Sequence, residues 1–110
     1  MKNVYLDSAA TTQMRDEVID RMTSVMKEVY GNPSSTHSFG RSAKSLIEQA
    51  RKTVAGYLNV KASEIIFTSG GTEADNLALN SAVRDLGVKR IITSKIEHHA
   101  VLYTVGQLQD

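Results

Sequence analysis

Glu64-Ile65-Ile66-Phe67-Thr68-Ser69-Gly70-Gly71-Thr72-Glu73 is a β-branched and aromatic run that breaks at a glycine pair and opens into a helical pattern. The run 64–68 reads as a strand, because branched and aromatic side chains suit a pleated, half-buried surface. Gly70-Gly71 ends it. Thr72 to Leu86 reads as a helix, and Gly87 is a natural C-terminal stop. A second strand is expected over Arg90 to Thr93. Together these make a βαβ unit of ~30 residues, with parallel strands and a right-handed crossover. The expected fold class is therefore α/β. The expected sheet is incomplete, because two strands cannot cover this many helices and parallel sheets are buried on both faces. Its remaining strands are expected beyond Asp110.

The turn at the centre of this unit has a specific physical use. The first turn of a helix carries backbone N–H groups without intrahelical partners, and the helix dipole favours negative charge there. Glycines let an anion approach without Cβ interference, and Thr72 adds a hydroxyl donor, so a phosphate group fits Ser69–Thr72. The segment lacks the Gly-Lys-Ser/Thr of a Walker loop and the spacing of a dinucleotide fingerprint. A plain strand-to-helix turn capped by threonine accounts for the same residues equally well.

Outward from this unit, residues 1–12 read as an extended segment, Val4-Tyr5-Leu6, and a small-residue loop. Met14, Val18, Met22, Val25, Met26 and Val29 mark an amphipathic helix from about Met14 to Val29, with Thr12 as its cap. The methionines form one packing stripe, for core or interface, and not a redox box. Tyr30 to Arg41 holds the only proline and reads as a long functional loop. A second long helix is expected from about Ser42 to Tyr57, and a last one from Ala100 to Leu108.

The 110 residues fit one domain at most, and 41% hydrophobic with 23% charged residues is an ordinary globular composition. Thirteen basic and 12 acidic residues are interspersed, for a net charge of +1, so nothing favours nucleic acid or an anionic membrane. No apolar run approaches the ~20 residues of a membrane span, and no signal-peptide core stands at the N-terminus. The cysteine count is zero, which agrees with a reducing cytoplasm and removes thiol chemistry from this chain. No metal site is expected.

Four segments occur in one order: Tyr5-Leu6-Asp7-Ser8-Ala9-Ala10-Thr11-Thr12, Gly31-Asn32-Pro33-Ser34-Ser35-Thr36-His37, Thr68-Ser69-Gly70-Gly71-Thr72-Glu73-Ala74-Asp75-Asn76 and Ser94-Lys95-Ile96-Glu97-His98-His99-Ala100-Val101-Leu102. In this order they resemble the cysteine desulfurases, the NifS/IscS-like members of the class V aminotransferase group of pyridoxal-phosphate (PLP) enzymes. The resemblance covers nearly the whole chain. It implies the N-terminal part of a fold type I large domain, with residues 1–12 as an N-terminal segment and 13–110 as the front of the PLP-binding domain.

The resemblance also implies roles. Gly70, Gly71 and Thr72 bind the cofactor phosphate. His98 lies over the pyridine ring and helps proton transfer, which suits a flat imidazole that titrates near neutrality. Read without the family, His98 is an exposed histidine at a helix start. Asn32 and His37 lie in a loop near the active-site entrance and dimer interface, with local turn hydrogen bonding as the alternative. Arg41 is either a carboxylate partner or a solvated helix residue. Asp7 is not read as catalytic, His99 receives no role, and Lys95 matches a variable position.

In that family the Schiff-base lysine, the acidic partner of the pyridinium and the catalytic cysteine lie in the part of the chain beyond Asp110. The resemblance thus implies a cytoplasmic, homodimeric enzyme taking L-cysteine to L-alanine and passing sulfur to iron–sulfur cluster or tRNA thiolation pathways through acceptor proteins. This chain alone is expected to be an inactive fragment. The alternatives left open are a non-catalytic phosphate- or partner-binding module, and another class V enzyme such as a selenocysteine lyase or an aminotransferase. The chain ends at Gly106-Gln107-Leu108-Gln109-Asp110 without a polar tail, which favours the fragment.

Overall fold

The computed structural model describes residues 3–109. Its described residues fall into two compact units, one ending at Ile65 and the other beginning at Ile66.

The first unit holds α1 (Asp16–Glu28), α2 (Ser38–Leu58) and a 3-10 turn over Ala62–Glu64. Asp16 and Glu17 in the first turn of α1 and Lys27 in the last complement the helix dipole. The N-cap is Arg15, without a side-chain bond, so the expected Thr12 cap is corrected. The apolar stripe of α1 is real but open to solvent: Val18, Met22 and Met26 are 45%, 45% and 68% exposed, and Met14, 54% exposed, lies just before the helix.

The loop after α1 is shorter than its sequence suggests, because α2 starts at Ser38 and not near Ser42. The His37 imidazole makes the difference: its Nδ1 accepts the Gly40 N–H at 3.3 Å, the bond usually supplied by Ser, Thr, Asp or Asn. The loop is held by close backbone approach. A Cβ on Gly40 would sit 2.4 Å from the Ser35 carbonyl oxygen, and one on Gly31 would sit 2.4 Å from the Phe39 carbonyl. At the far end, Asn59 adopts φ 54°, ψ 44°, and the Val60 N–H reaches back to the Ala55 carbonyl at 3.0 Å. This is a left-handed helix stop made by asparagine. Arg51 pairs with Glu48 at 3.2 Å and donates to the Ile65 carbonyl, tying the 3-10 turn to α2.

The second unit holds α3 (Gly71–Arg84) and α4 (His99–Gln107), which pack on one another. α3 ends near the expected place, with Gly87 at φ 68° and the Val88 N–H bonded to the Ala82 carbonyl at 3.0 Å. Ala100, Thr104 and Val105 are the buried residues of α4. Ala100 and Thr104 are one turn apart and so share a face.

The two expected strands are not formed among the described residues. The segments 65–68 and 90–93 carry neither helix nor ladder. A ladder needs a neighbour, and a pair of parallel strands needs cover on both faces. Ile66 and Ile92, which would face such cover, are 66% and 91% exposed. The helices of the βαβ pattern form on local signals, whereas its sheet does not.

Candidate functional site

The turn that opens α3 is the candidate anion site. Gly70 is the N-cap, and no side chain caps the helix there. The Ala74 N–H returns to the Gly70 carbonyl at 3.1 Å. The N–H groups of Gly71, Thr72 and Glu73 precede that first bond, and among the described residues none of them meets an acceptor. The Glu73 side chain reaches back instead to Ser69, whose N–H and hydroxyl donate to one carboxylate oxygen at 2.7 and 2.6 Å. The hydroxyl bond, then the amide bond, holds this carboxyl below the ordinary glutamate range. Glu73 therefore fixes the turn while leaving the first N–H groups of α3 free.

The glycines fit a bound group and not a protein contact. A Cβ built on Gly70 or on Gly71 meets nothing within 4 Å. Gly70 has φ 170°, an extended backbone open to any residue. Neither sterics within the protein nor backbone strain calls for glycine at these two positions. The space beside the uncapped N–H groups stays clear for an anion such as a phosphate.

His98 is the N-cap of α4, and its Nδ1 accepts the Ala100 N–H at 3.1 Å. With Nδ1 as acceptor, the neutral imidazole carries its proton on Nε2. Thr72, Asn76, His98, Tyr103 and Thr104 line one open cleft of about 440 Å³ between α3 and α4. His99, given no role from sequence, stacks on Tyr103 with ring centroids 5.2 Å apart and planes 14° apart. A larger cleft of about 560 Å³, lined by Val29, Arg41, Leu46 and Gln49 in the first unit, holds no acid–base pair.

Thus Thr72 and His98 share a cleft that Gly70 and Gly71 adjoin in sequence. Asn32 and His37 lie in the first unit and act locally. The Asn32 side chain accepts the Ser34 N–H at 2.9 Å, its carbonyl accepts the Ser35 N–H at 3.0 Å, and His37 caps α2. Arg41 donates to the Thr36 carbonyl. Asn76 and Thr104 were not foreseen from sequence. Their spacing of four from Thr72 and Ala100 is the signal that places them on the cleft face.

The sequence model of the family described as Aminotransferase class-V matches residues 4–110. The chain belongs to this family. It is 52% identical over 103 residues to the cysteine desulfurase IscS of Dictyoglomus turgidum, covering 92% of this chain and 26% of that protein. It is 50% identical to the cysteine desulfurase IscS of Methanosarcina thermophila, covering 98% of this chain and 27% of the relative. A solved NifS-like protein matches with a TM-score of 0.80 and 42% identity, over 91% of this chain and 28% of the other. That likeness bears out the α/β, fold type I class expected from sequence. The chain spans about a quarter of the length of these curated relatives.

Proposed function

We propose that this chain supplies the phosphate cup and one acid–base histidine of a pyridoxal-phosphate-dependent cysteine desulfurase. The observation that carries the reading is the single cleft in which Thr72, at an uncapped helix N-terminus, faces the same space as His98. The names of the relatives at about half identity support L-cysteine as the substrate.

In this reading the N–H groups of Gly71 and Thr72 and the Thr72 hydroxyl bind the phosphate, and Gly70 leaves room for it. The bare helix N-terminus stabilises its negative charge. Pyridoxal phosphate, when bound, supplies the electron sink for amino-acid chemistry at Cα. His98 offers a flat ring to stack on a heteroaromatic face. Its Nε2 carries the exchangeable proton, because Nδ1 is committed to the Ala100 N–H. Ser69 and Glu73 hold the turn rigid without competing for the ligand.

Conversion of L-cysteine to L-alanine also needs a lysine to hold the cofactor and a cysteine to take the sulfur. The chain contains no cysteine, and Lys95 is not the cofactor lysine of the reading. Residues 1–12 serve as the N-terminal segment and 13–110 as the front of the PLP-binding domain. The whole enzyme is a cytoplasmic homodimer that passes sulfur to acceptor proteins for iron–sulfur clusters or thiolation. Asn32 and His37 lie in its loop near the active-site entrance and dimer interface.

Titration with inorganic phosphate and with pyridoxal phosphate, followed on the amide signals of residues 70–73, tests this reading. Saturable shifts in the millimolar range are expected from both ligands, with no sulfide released from cysteine by this chain. Unchanged amides, or sulfide release, would overturn it.

A further inference from the structure

The cleft holds a second pair of polar residues with no part in the cofactor cup. Thr104 is 5% exposed, and its hydroxyl lies 2.8 Å from the Ala100 carbonyl and in hydrogen-bond contact with the Asn76 side-chain amide. Asn76 stands one turn after Thr72 on α3, and its own carbonyl accepts the Asn80 side-chain N–H at 2.8 Å. Ala100, 7% exposed, is bonded at both ends of its backbone: its N–H goes to His98 Nδ1 and its carbonyl to Thr104. The hydroxyl of Thr104 has one proton for two neighbours. With that proton on the Ala100 carbonyl, a 180° turn of the Asn76 amide presents an N–H donor to the hydroxyl oxygen, so the Thr104 hydroxyl donates once and accepts once.

We infer that Asn76 and Thr104 are positioning residues that register the His98 imidazole against the phosphate-binding end of α3. The inference rests on the reading of the cleft as a cofactor site. A continuous path of hydrogen bonds runs from α3 through Asn76 and Thr104 to the Ala100 backbone, and from there to His98. Imidazole orientation is set by the partner of its engaged nitrogen. That partner here is an amide whose own residue is anchored across the helix pair. The bonds are shielded at Thr104 and Ala100, where an unmade bond costs more than at the surface. Packing alone needs no hydroxyl at position 104, since valine has nearly the same shape.

The test compares the wild-type protein with Thr104→Val, Thr104→Ser and Asn76→Ala, each checked for unchanged helix content. Without ligand, Thr104→Val is expected to speed hydrogen exchange of the Ala100 amide about tenfold, and Thr104→Ser to restore protection. On addition of pyridoxal phosphate, the His98 ring protons shift by ring current in the wild type. They lose at least half that response in Thr104→Val, while the affinity of residues 70–73 for inorganic phosphate stays the same. Asn76→Ala, at a half-exposed position, moves both readouts the same way. Wild-type Ala100 protection and His98 response in both variants would overturn the inference. Failure of the phosphate reading shows separately, as amides 70–73 that ignore phosphate in the wild type, and the exchange measurement still decides the role of Thr104.

Discussion

The N–H and the hydroxyl of Ser69 converge on one carboxylate oxygen of Glu73, at 2.7 and 2.6 Å. The acid thereby stabilises the turn before α3 as an acceptor, without occupying the N–H groups at the helix end.

The pH dependence follows from the sign of that shift. The folded-state pKa of Glu73 lies below its unfolded value, so its contribution is complete above the unfolded value and is lost as pH falls through the folded one. Acidification is expected to deprotect the Ser69 amide before the rest of α3, read by hydrogen exchange. Glu73→Gln removes the charge and flattens that pH dependence. A Ser69 amide that titrates identically in Glu73→Gln refutes the assignment.

The three glycines Gly31, Gly40 and Gly56 separate into two kinds. Gly31→Ala and Gly40→Ala each place a Cβ 2.4 Å from backbone atoms that cannot give. Each is expected to destabilise the first unit by about 2–4 kcal/mol in denaturant unfolding. Gly56→Ala, on an exposed position of α2 with nothing within 4 Å, is expected to stabilise by about 0.5–1 kcal/mol.

Gly71→Ala discriminates ligand from structure. Its Cβ meets no protein atom, so the melting temperature should hold or rise. If the space belongs to a phosphate, affinity for inorganic phosphate falls, by about tenfold for a lost 1.4 kcal/mol. Unchanged affinity would show that the anion does not use this face of the turn.

His37→Ala removes the cap of α2, and the expected loss is about 1 kcal/mol of stability with fraying confined to Ser38–Arg41. His37→Asn recovers most of it, because a shorter acceptor can reach the same N–H. Fraying that spreads evenly along α2 would contradict a capping role.

Sequence and structure divided the work along a clear physical line. The α3 start at the glycine pair, the Gly87 stop and the α1 stripe were legible because each is a local signal, carried within a few residues along the chain. The cap by His37 was not, since imidazole is outside the usual capping set and Phe39-Gly40 reads as loop. The anion turn could be read as a pattern, yet the pattern alone did not separate a phosphate cup from a plain turn. The clear space at Gly70 and Gly71 and the uncapped N–H groups are properties of three dimensions.

By itself the sequence determined the helices, the family motifs in their order, and the absence of cysteine from this chain. Only the tertiary structure decided what faces what. It put Thr72 and His98 on one cleft, joined Asn76 to Thr104 across 28 residues, and left 65–68 and 90–93 without a ladder. The reason is range: helix bonds close within four residues, whereas clefts, interhelical bonds and sheets depend on which distant segments are brought together.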